Sequence, residues 1–167
     1  EGTRESLCTL SSGYQAVRGA AEEATVDGIH RPGASLAGVY DTSGDDPDAD
    51  DRLVDAPGWL PLLVRIDDGD WFRIDDADLV AFRQDLDLRQ ALLRRTVVVR
   101  DERGRETAIR FRRLVSQAVP RLAAVEATVT ARGWSGRLTV RSGIDASPTR
   151  TAARRLSEVS PPTPLCT

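Results

Sequence analysis

Short apolar runs separated by turn residues dominate the chain and predict a succession of β-strands. Several runs alternate apolar and polar residues, which is the period of a strand with one buried face. The predicted strands are 6–10, 14–18, 35–40, 60–66, 71–74, 92–100, 105–116, 121–130 and 137–142. Strands at such short intervals are typical of an all-β sandwich or barrel.

Three glycine-containing turns predict hairpins between neighbouring strands. They are residues 67–70, 101–104 and 131–134. Glycine and aspartate tolerate the positive φ that tight hairpin turns require. Two stretches instead carry weak helical patterns, at residues 77–84 and 152–159.

The strand predicted at 105–116 shows a break in its alternation. Ile109 and Phe111 share one face, and Arg110 and Arg112 share the other. After Arg112 the pattern changes phase, and one extra residue at Arg112-Arg113 would restore it. We therefore predict a β-bulge there, with all three arginines on a solvated face.

Composition limits the class of protein. The 167 residues carry 40% hydrophobic side chains and a net charge of −3, which indicates one globular domain. All 23 basic residues are arginines, but the charge balance argues against nucleic acid as a partner. No apolar run reaches the roughly 18–20 residues of a membrane helix, so no membrane association is predicted. The chain lacks methionine and begins at Glu1 without a recognisable signal, which suggests a trimmed or partial sequence.

Two stretches are predicted to lie outside the strands. Residues 42–51 form an acidic loop, and residues 147–167 form a proline-containing linker or disordered tail. The predicted organisation is therefore a β-sandwich over residues 1–146 followed by that tail. A calcium-binding EF-hand starting at Asp46 is rejected, because Asp51 replaces the required glycine and Pro57 replaces the bidentate glutamate.

Few residues can support catalysis or metal binding. His30 is the single histidine, so histidine-dependent nucleophilic catalysis or a zinc site would have to use it. Its surroundings are a loop, and no cofactor is predicted. Cys8 and Cys166 form neither a disulfide framework nor a metal-ligand spacing, which favours a reducing, cytoplasmic location.

Asp85 and Asp87 form a carboxylate pair with a spacing close to that of some glycosidases. On a strand they lie about 6.6–7 Å apart on one face. Inverting glycosidases separate their carboxyl groups by about 6.5–9.5 Å. Two groups on one flat face cannot approach a sugar from opposite sides, however, and Arg89 is expected to form an ion pair with Asp87.

Aromatic and acidic residues offer further candidate contacts. Trp59, Trp71 and Trp134 either fill the core or stack against sugars. Glu22 and Glu23 have two alternatives. Buried, they would pair and fix the loop after the second strand; exposed, they would meet another domain.

A set of short segments in fixed order resembles the N-terminal β-sandwich domain of glycoside hydrolase family 65, which contains maltose, trehalose and kojibiose phosphorylases and acid trehalases. The segments are Arg4-Glu5-Ser6-Leu7, Gly13-Tyr14-Gln15-Ala16-Val17-Arg18-Gly19 with Glu22-Glu23, Leu36-Ala37-Gly38-Val39-Tyr40-Asp41, Leu53-Val54-Asp55-Ala56-Pro57-Gly58-Trp59, Leu86-Asp87-Leu88-Arg89, Arg113-Leu114-Val115-Ser116 and Trp134-Ser135-Gly136.

The chain departs from the family pattern at several positions. Family members usually carry Asn-Gly-Tyr-Leu-Gly-Val-Arg-Gly where Ser12, Gln15 and Ala16 stand here. The likeness fades near Ala146. The resemblance implies an antiparallel two-sheet super-sandwich of the galactose-mutarotase-like kind, here incomplete.

The resemblance also implies a function. The catalytic carboxylate of this family lies in a later (α/α) barrel, so this chain is expected to be a non-catalytic accessory domain that packs on that barrel, shapes the sugar site and supports a homodimer. The residues expected to contact carbohydrate or another domain are Tyr14, Arg18, Glu22, Glu23, Tyr40, Asp41 and Trp59. The alternatives are a stand-alone carbohydrate-binding module, with an oligosaccharide as partner, and a structural remnant without a ligand.

Overall fold

The computed structural model describes residues 2–27, 29–41 and 52–145. These residues form antiparallel sheets, which confirms the predicted all-β sandwich. The elements in chain order are helix α1 (Gly2–Leu7) and strands β1 (Leu10–Ser11), β2 (Gln15–Val17), β3 (Ala34–Asp41), β4 (Arg52–Ala56), β5 (Leu62–Ile66), β6 (Asp78–Asp87), β7 (Leu92–Arg100), β8 (Glu106–Val115), β9 (Ala123–Arg132) and β10 (Leu138–Ser142).

Three sheets make up the described part of the chain. One has the strand order β1-β2-β3-β4, a second pairs β10 with β5, and the third is the meander β6-β7-β8-β9. In the meander each strand pairs with its neighbour in sequence, since short turns favour antiparallel pairing of consecutive strands.

The core lies between the meander and the other two sheets, in two apolar clusters. In the first, Leu10, Val17 and Ala34 join Leu93 and Val115 of the meander. In the second, Leu62 of β5 joins three side chains of the meander, namely Val97, Ile109 and Phe111. These contacts hold the layers together because they remove apolar surface from water.

Strand β8 alternates along its whole length, so the predicted bulge at Arg112-Arg113 is wrong. Its pairing with β7 and with β9 runs without a register shift. Ile109, Phe111, Arg113 and Val115 are all buried, whereas Arg112 is exposed. The apparent change of phase arises because a buried position of the strand is occupied by an arginine. The prediction of a solvated face therefore fails for Arg113.

Two local predictions fail where pairing or burial outweighs sequence pattern. Residues 78–84 of this stretch belong to β6, which pairs with β7 from Asp78 to Asp87, instead of forming helical turns. The strand predicted at 6–10 is replaced by helix α1 and the short β1. The buried residue of this helix is Glu5.

Only one of the three predicted hairpins forms in full. The turn at 101–104 joins β7 to β8, with Gly104 at φ 75°. The turn at 67–70 is followed by a single bridge, between Arg65 and Trp71, instead of a strand at 71–74. The turn at 131–134 does not close a hairpin, because β10 pairs with β5 of another sheet.

Several predictions fall outside the described residues. They include the acidic loop at 42–51, the helical pattern at 152–159, Cys166, and the domain boundary at 146–147 with its tail. These stay predictions. Among the residues that the structure does describe, no helix has the length and apolar content needed to cross a bilayer.

Strand β8 has one face toward the core and one toward solvent, and substitutions on the two faces test this orientation. Ile109 is 1% exposed in the second core cluster, so Ile109→Ala should lower the free energy of unfolding by about 2–5 kcal/mol. Arg110→Ala, on the opposite face, should change it little. Urea unfolding followed by circular dichroism measures both variants. Equal losses for the two variants would contradict the described orientation of β8.

Candidate functional site

The loop after β2 inserts two carboxylates into the interior. Glu22 and Glu23 are 3% and 4% exposed, and both contact Arg95 of β7. The Arg95 Nε and Nη2 atoms donate to Glu22 Oε2 at 3.1 and 2.7 Å, and Nη1 donates to Glu23 Oε1 at 2.6 Å. Arg95 Nη2 also donates to Glu23 Oε2. Of the two alternatives for these glutamates, the structure shows the buried and paired one.

A second arginine completes this cluster from β8. Arg113 donates from Nη2 to the carbonyl oxygen of Ala20 at 2.6 Å and from Nη1 to that of Arg18 at 3.2 Å. Its Nε lies 3.4 Å from Glu22 Oε1. Arg95, Arg113, Glu22 and Glu23 are referred to below as the buried ion cluster. It fixes the backbone of the loop as well as its side chains.

The charges of the buried ion cluster balance, with two guanidinium groups facing two carboxylates. Burial alone lowers the pKa of Arg95, but Glu22 and Glu23 outweigh it, and the net pKa is raised. Burial lowers the pKa of Arg113, which Glu22 only partly offsets. Both groups remain charged because an arginine pKa lies far above neutral pH. The carboxylates are fully engaged, so the geometry indicates a structural role and not acid–base catalysis.

A second buried cluster links helix α1 to the loop before β3. His30 Nδ1 lies 2.8 Å from Glu5 Oε1, and His30 Nε2 lies 3.2 Å from Asp75 Oδ1. The backbone N–H of Arg31 donates to Glu5 Oε2 at 3.1 Å, and Arg18 Nη2 lies 3.7 Å from the same oxygen.

The geometry around His30 favours its protonated form. Both of its ring nitrogens face carboxylate oxygens, and both nitrogens donate in the imidazolium form. Burial lowers the pKa of His30, but the hydrogen bonds to Glu5 and Asp75 more than compensate, and the net pKa is raised above 6.5. With a carboxylate at each ring nitrogen, His30 bridges Glu5 of helix α1 and Asp75.

Arg94 forms ion pairs with both Asp85 and Asp87. Arg94 Nη1 lies 3.3 Å from Asp85 Oδ2 and 3.2 Å from Asp87 Oδ2. The predicted ion pair between Arg89 and Asp87 is wrong. Arg89 instead donates its backbone N–H to Asp87 Oδ1. The N–H of Gln90 and the guanidinium of Arg94 lower the pKa of Asp87. This pair therefore stabilises a turn and lacks the arrangement of a glycosidase site.

The remaining predicted contact residues do not gather at one place. Tyr40 lies on β3 and is 52% exposed. Asp41 pairs with Arg52 through its backbone, and its side chain lies outside the described atoms. Trp59 is half-buried against the first core cluster.

The other two tryptophans pack against polar neighbours. The Trp71 ring contacts the guanidinium groups of Arg65 and Arg141, at 4.9 and 4.5 Å from its centroid. Trp134 donates from Nε1 to the carbonyl oxygen of Glu106 at 2.8 Å. Within the described residues, no group of three or more histidine, cysteine, aspartate or glutamate side chains is placed to hold a metal ion.

Tyr14 lines a surface cleft of about 470 Å³ between two loops. One loop is the β1–β2 turn, and the other joins β8 to β9. The residues lining the cleft are Ser12, Gly13, Tyr14, Val119, Pro120 and Arg121. The guanidinium of Arg121 lies 5.2 Å from the centroid of the Tyr14 ring. Sequence reasoning did not identify Arg121, since it belongs to no recognised motif.

Sequence reasoning also missed Arg95, although a signal was present. Leu93, Arg95 and Val97 occupy alternate positions of β7, so the period of the strand places Arg95 on the apolar face. The change of phase in β8 was the equivalent signal for Arg113. An arginine at an inward position indicates a buried acidic partner, because unpaired charges are costly to bury.

Removal of the charge on Arg95 tests the buried ion cluster. Arg95→Met should lower the free energy of unfolding by about 3–5 kcal/mol, because it leaves two carboxylates buried without their main partner. Arg94→Met is the matched control, since Arg94 is the next residue and its ion pairs are partly exposed. Its effect should be far smaller. Similar losses in the two variants, measured by urea unfolding, would refute the structural role of the cluster.

The raised pKa of His30 predicts a dependence of stability on pH. The folded protein binds the proton more tightly than the unfolded chain, so the stabilisation is complete below about 6.5 and is lost as pH rises through the folded-state pKa. His30 is the single histidine, so its ring resonances can be titrated by NMR without overlap. A midpoint at or below 6.5 would contradict the bridge. In His30→Gln the corresponding loss of stability with rising pH should disappear.

Comparisons with known proteins identify the family. Residues 1–163 match the model of the glycosyl hydrolase family 65, N-terminal domain. The chain is 37% identical over 164 residues to an uncharacterized glycosyl hydrolase of Mycobacterium tuberculosis, covering 96% of this chain and 12% of that protein. It is 32% identical over 145 residues to a kojibiose phosphorylase of Caldanaerobacter subterraneus, covering 86% of this chain and 18% of the relative.

A kojibiose phosphorylase of Escherichia coli is 30% identical over 153 residues, which cover 92% of this chain and 19% of that enzyme. The chain thus spans less than a fifth of the length of these curated relatives. Because the family match extends over nearly the whole chain, the protein belongs to glycosyl hydrolase family 65 and corresponds to its N-terminal domain.

Proposed function

We propose that the chain is a non-catalytic accessory domain of a family 65 enzyme that cleaves α-glucosidic disaccharides. In this proposal it packs on the catalytic (α/α) barrel of the parent enzyme. The observation that carries the proposal is the match to the N-terminal domain combined with the small share of each relative that the chain covers. The substrate class is inferred from the kojibiose phosphorylases among the relatives.

The geometry of the acidic residues supports a non-catalytic role. Glu22 and Glu23 are buried and paired with Arg95, and Glu5 is paired with His30. Asp85 and Asp87 share Arg94. Glycoside cleavage needs one protonated and one ionised carboxyl group that can both reach the sugar. These five carboxylates are instead held by cations.

The proposed contact with the barrel assigns two roles to the predicted residues. Arg18, Glu22 and Glu23 fix the loop after β2, and the exposed Tyr40 contacts the partner directly, whereas Tyr14 stays accessible to carbohydrate. Asp41 and Trp59 are proposed to extend that surface. Aromatic side chains are frequent in interfaces because they combine a large apolar area with a polar edge.

A homodimer is part of the same proposal. Edge strand β6 exposes Leu79, Val80 and Phe82, each by more than a third of its surface. A group of exposed apolar side chains on an edge strand favours association with another protein surface. We propose that these residues lie at an interface in the parent enzyme.

The second candidate function is a stand-alone carbohydrate-binding module. The cleft beside Tyr14 favours it, since its size and its aromatic side chain suit a small sugar. This candidate requires sugar binding by the chain without any barrel.

A reconstitution experiment tests the accessory role. The purified chain should release neither glucose nor glucose 1-phosphate from kojibiose, maltose or trehalose, with or without phosphate. Added to the C. subterraneus kojibiose phosphorylase from which the matching 145 residues have been deleted, it should form a complex and restore phosphorolysis. Tyr40→Ala should weaken the complex by about tenfold, and Arg110→Gln should not.

Two results would overturn the accessory role. One is turnover by the chain alone. The other is full activity of the shortened phosphorylase without any association with the chain.

A further inference from the structure

The cleft beside Tyr14 contains a cation that none of the described carboxylates pairs with. Arg121 is exposed and stacks on the Tyr14 ring, but it makes no ion pair or hydrogen bond within the described part of the chain. Many other arginines have carboxylate partners, such as Arg94 with Asp85 and Arg112 with Glu126. Stacking on the ring holds the guanidinium in place while its N–H groups stay available for a ligand.

The cleft combines one cationic side chain with apolar surface. Its single charged side chain is that of Arg121, and its apolar surface comes from Val119, Pro120 and the Tyr14 ring. The Ser12 hydroxyl is already engaged. It donates to the carbonyl oxygen of Pro120 at 2.8 Å and accepts from the N–H groups of two neighbouring residues, Tyr14 and Gln15.

Hydrogen bonds between the two loops shape the cleft before any ligand arrives. The carbonyl oxygen of Pro120 accepts from Ser12 and, at 3.1 Å, from Gln15 Nε2. Gln117 Nε2 donates to the carbonyl oxygen of Ser11 at 2.6 Å. A site that is already formed spends less of its binding free energy on ordering loops.

We propose that this cleft binds a monosaccharide that carries an anionic group, with the sugar ring against Tyr14 and the anion on Arg121. Arg121 is the one charged side chain of the lining, and its guanidinium donates hydrogen bonds but cannot accept them, which favours an anionic group over a neutral hydroxyl. A carboxylate or phosphate matches the planar guanidinium through paired, charge-assisted hydrogen bonds. The cleft is open to solvent and has about 470 Å³ of space. The sugar component of the ligand rests on the proposed function, whereas the anionic component rests on Arg121.

Calorimetry with the full chain tests the proposal with four probes: glucose 6-phosphate, glucuronate, glucose and inorganic phosphate. At least one of the two anionic sugars should bind ten times more tightly than both glucose and inorganic phosphate. The better of the two distinguishes a phosphorylated sugar from a uronic acid. Arg121→Gln and Tyr14→Ala should each weaken this binding by at least tenfold.

A matched control separates the cleft from the general charge of the surface. Arg141 also stacks on an aromatic ring, that of Trp71, and makes no carboxylate pair in the described structure. Arg141→Gln should change the affinity less than twofold. Circular dichroism and thermal unfolding verify that each variant is folded.

Three outcomes would overturn the proposal: glucose binding as tightly as the anionic sugars, no binding of any anionic sugar, or equal losses in Arg121→Gln and Arg141→Gln. The accessory role does not depend on Arg121. Failure of the reconstitution with the barrel and failure of this binding are therefore separate results.

Discussion

The pairing of two buried arginines with two buried glutamates is the constraint on which the rest of the domain depends. Arg95 and Arg113 stand on the inner faces of adjacent meander strands, and Glu22 and Glu23 reach them from the loop after β2. Each charge would be costly to bury alone, so the four must be satisfied together. The cluster thus selects one position of that loop against the meander.

This position has consequences for the elements around the loop. The N–H of Gly19 donates to the carbonyl oxygen of Glu5 at 2.8 Å, and the N–H of Leu62 donates to that of Glu22 at 3.2 Å. Helix α1 and strand β5 are therefore tied to the same loop. A Cβ at residue 19 would lie 2.9 Å from the backbone of Cys8, so this close approach requires glycine. The bridge of His30 to Glu5 and Asp75 extends the same polar framework.

The sequence was sufficient for the all-β class and for the turn between β7 and β8, because these depend on local alternation and turn residues. It was insufficient for β10, whose partner β5 is distant along the chain. It was misleading for β6, where a helical pattern is overridden by pairing with β7. In β8 it was misread, because an arginine at an inward position looked like a shift in register.

The family segments around Glu5, Glu22 and Arg113 were recognised as motifs, but only the structure shows that they belong to two connected polar clusters. Arg121 had no sequence signal, since its importance arises from the meeting of two loops.

The most direct test of this account is a double-mutant cycle between Glu23 and Arg95. Glu23→Gln, Arg95→Met and the double variant would be unfolded in urea, and the coupling free energy would be derived from the four proteins. Residues joined in one buried ionic network are predicted to couple by about 1–3 kcal/mol, with the double variant more stable than the sum of the single losses implies. Additive losses, with a coupling free energy near zero, would show that the loop is held by other contacts and would contradict the central role of the buried ion cluster.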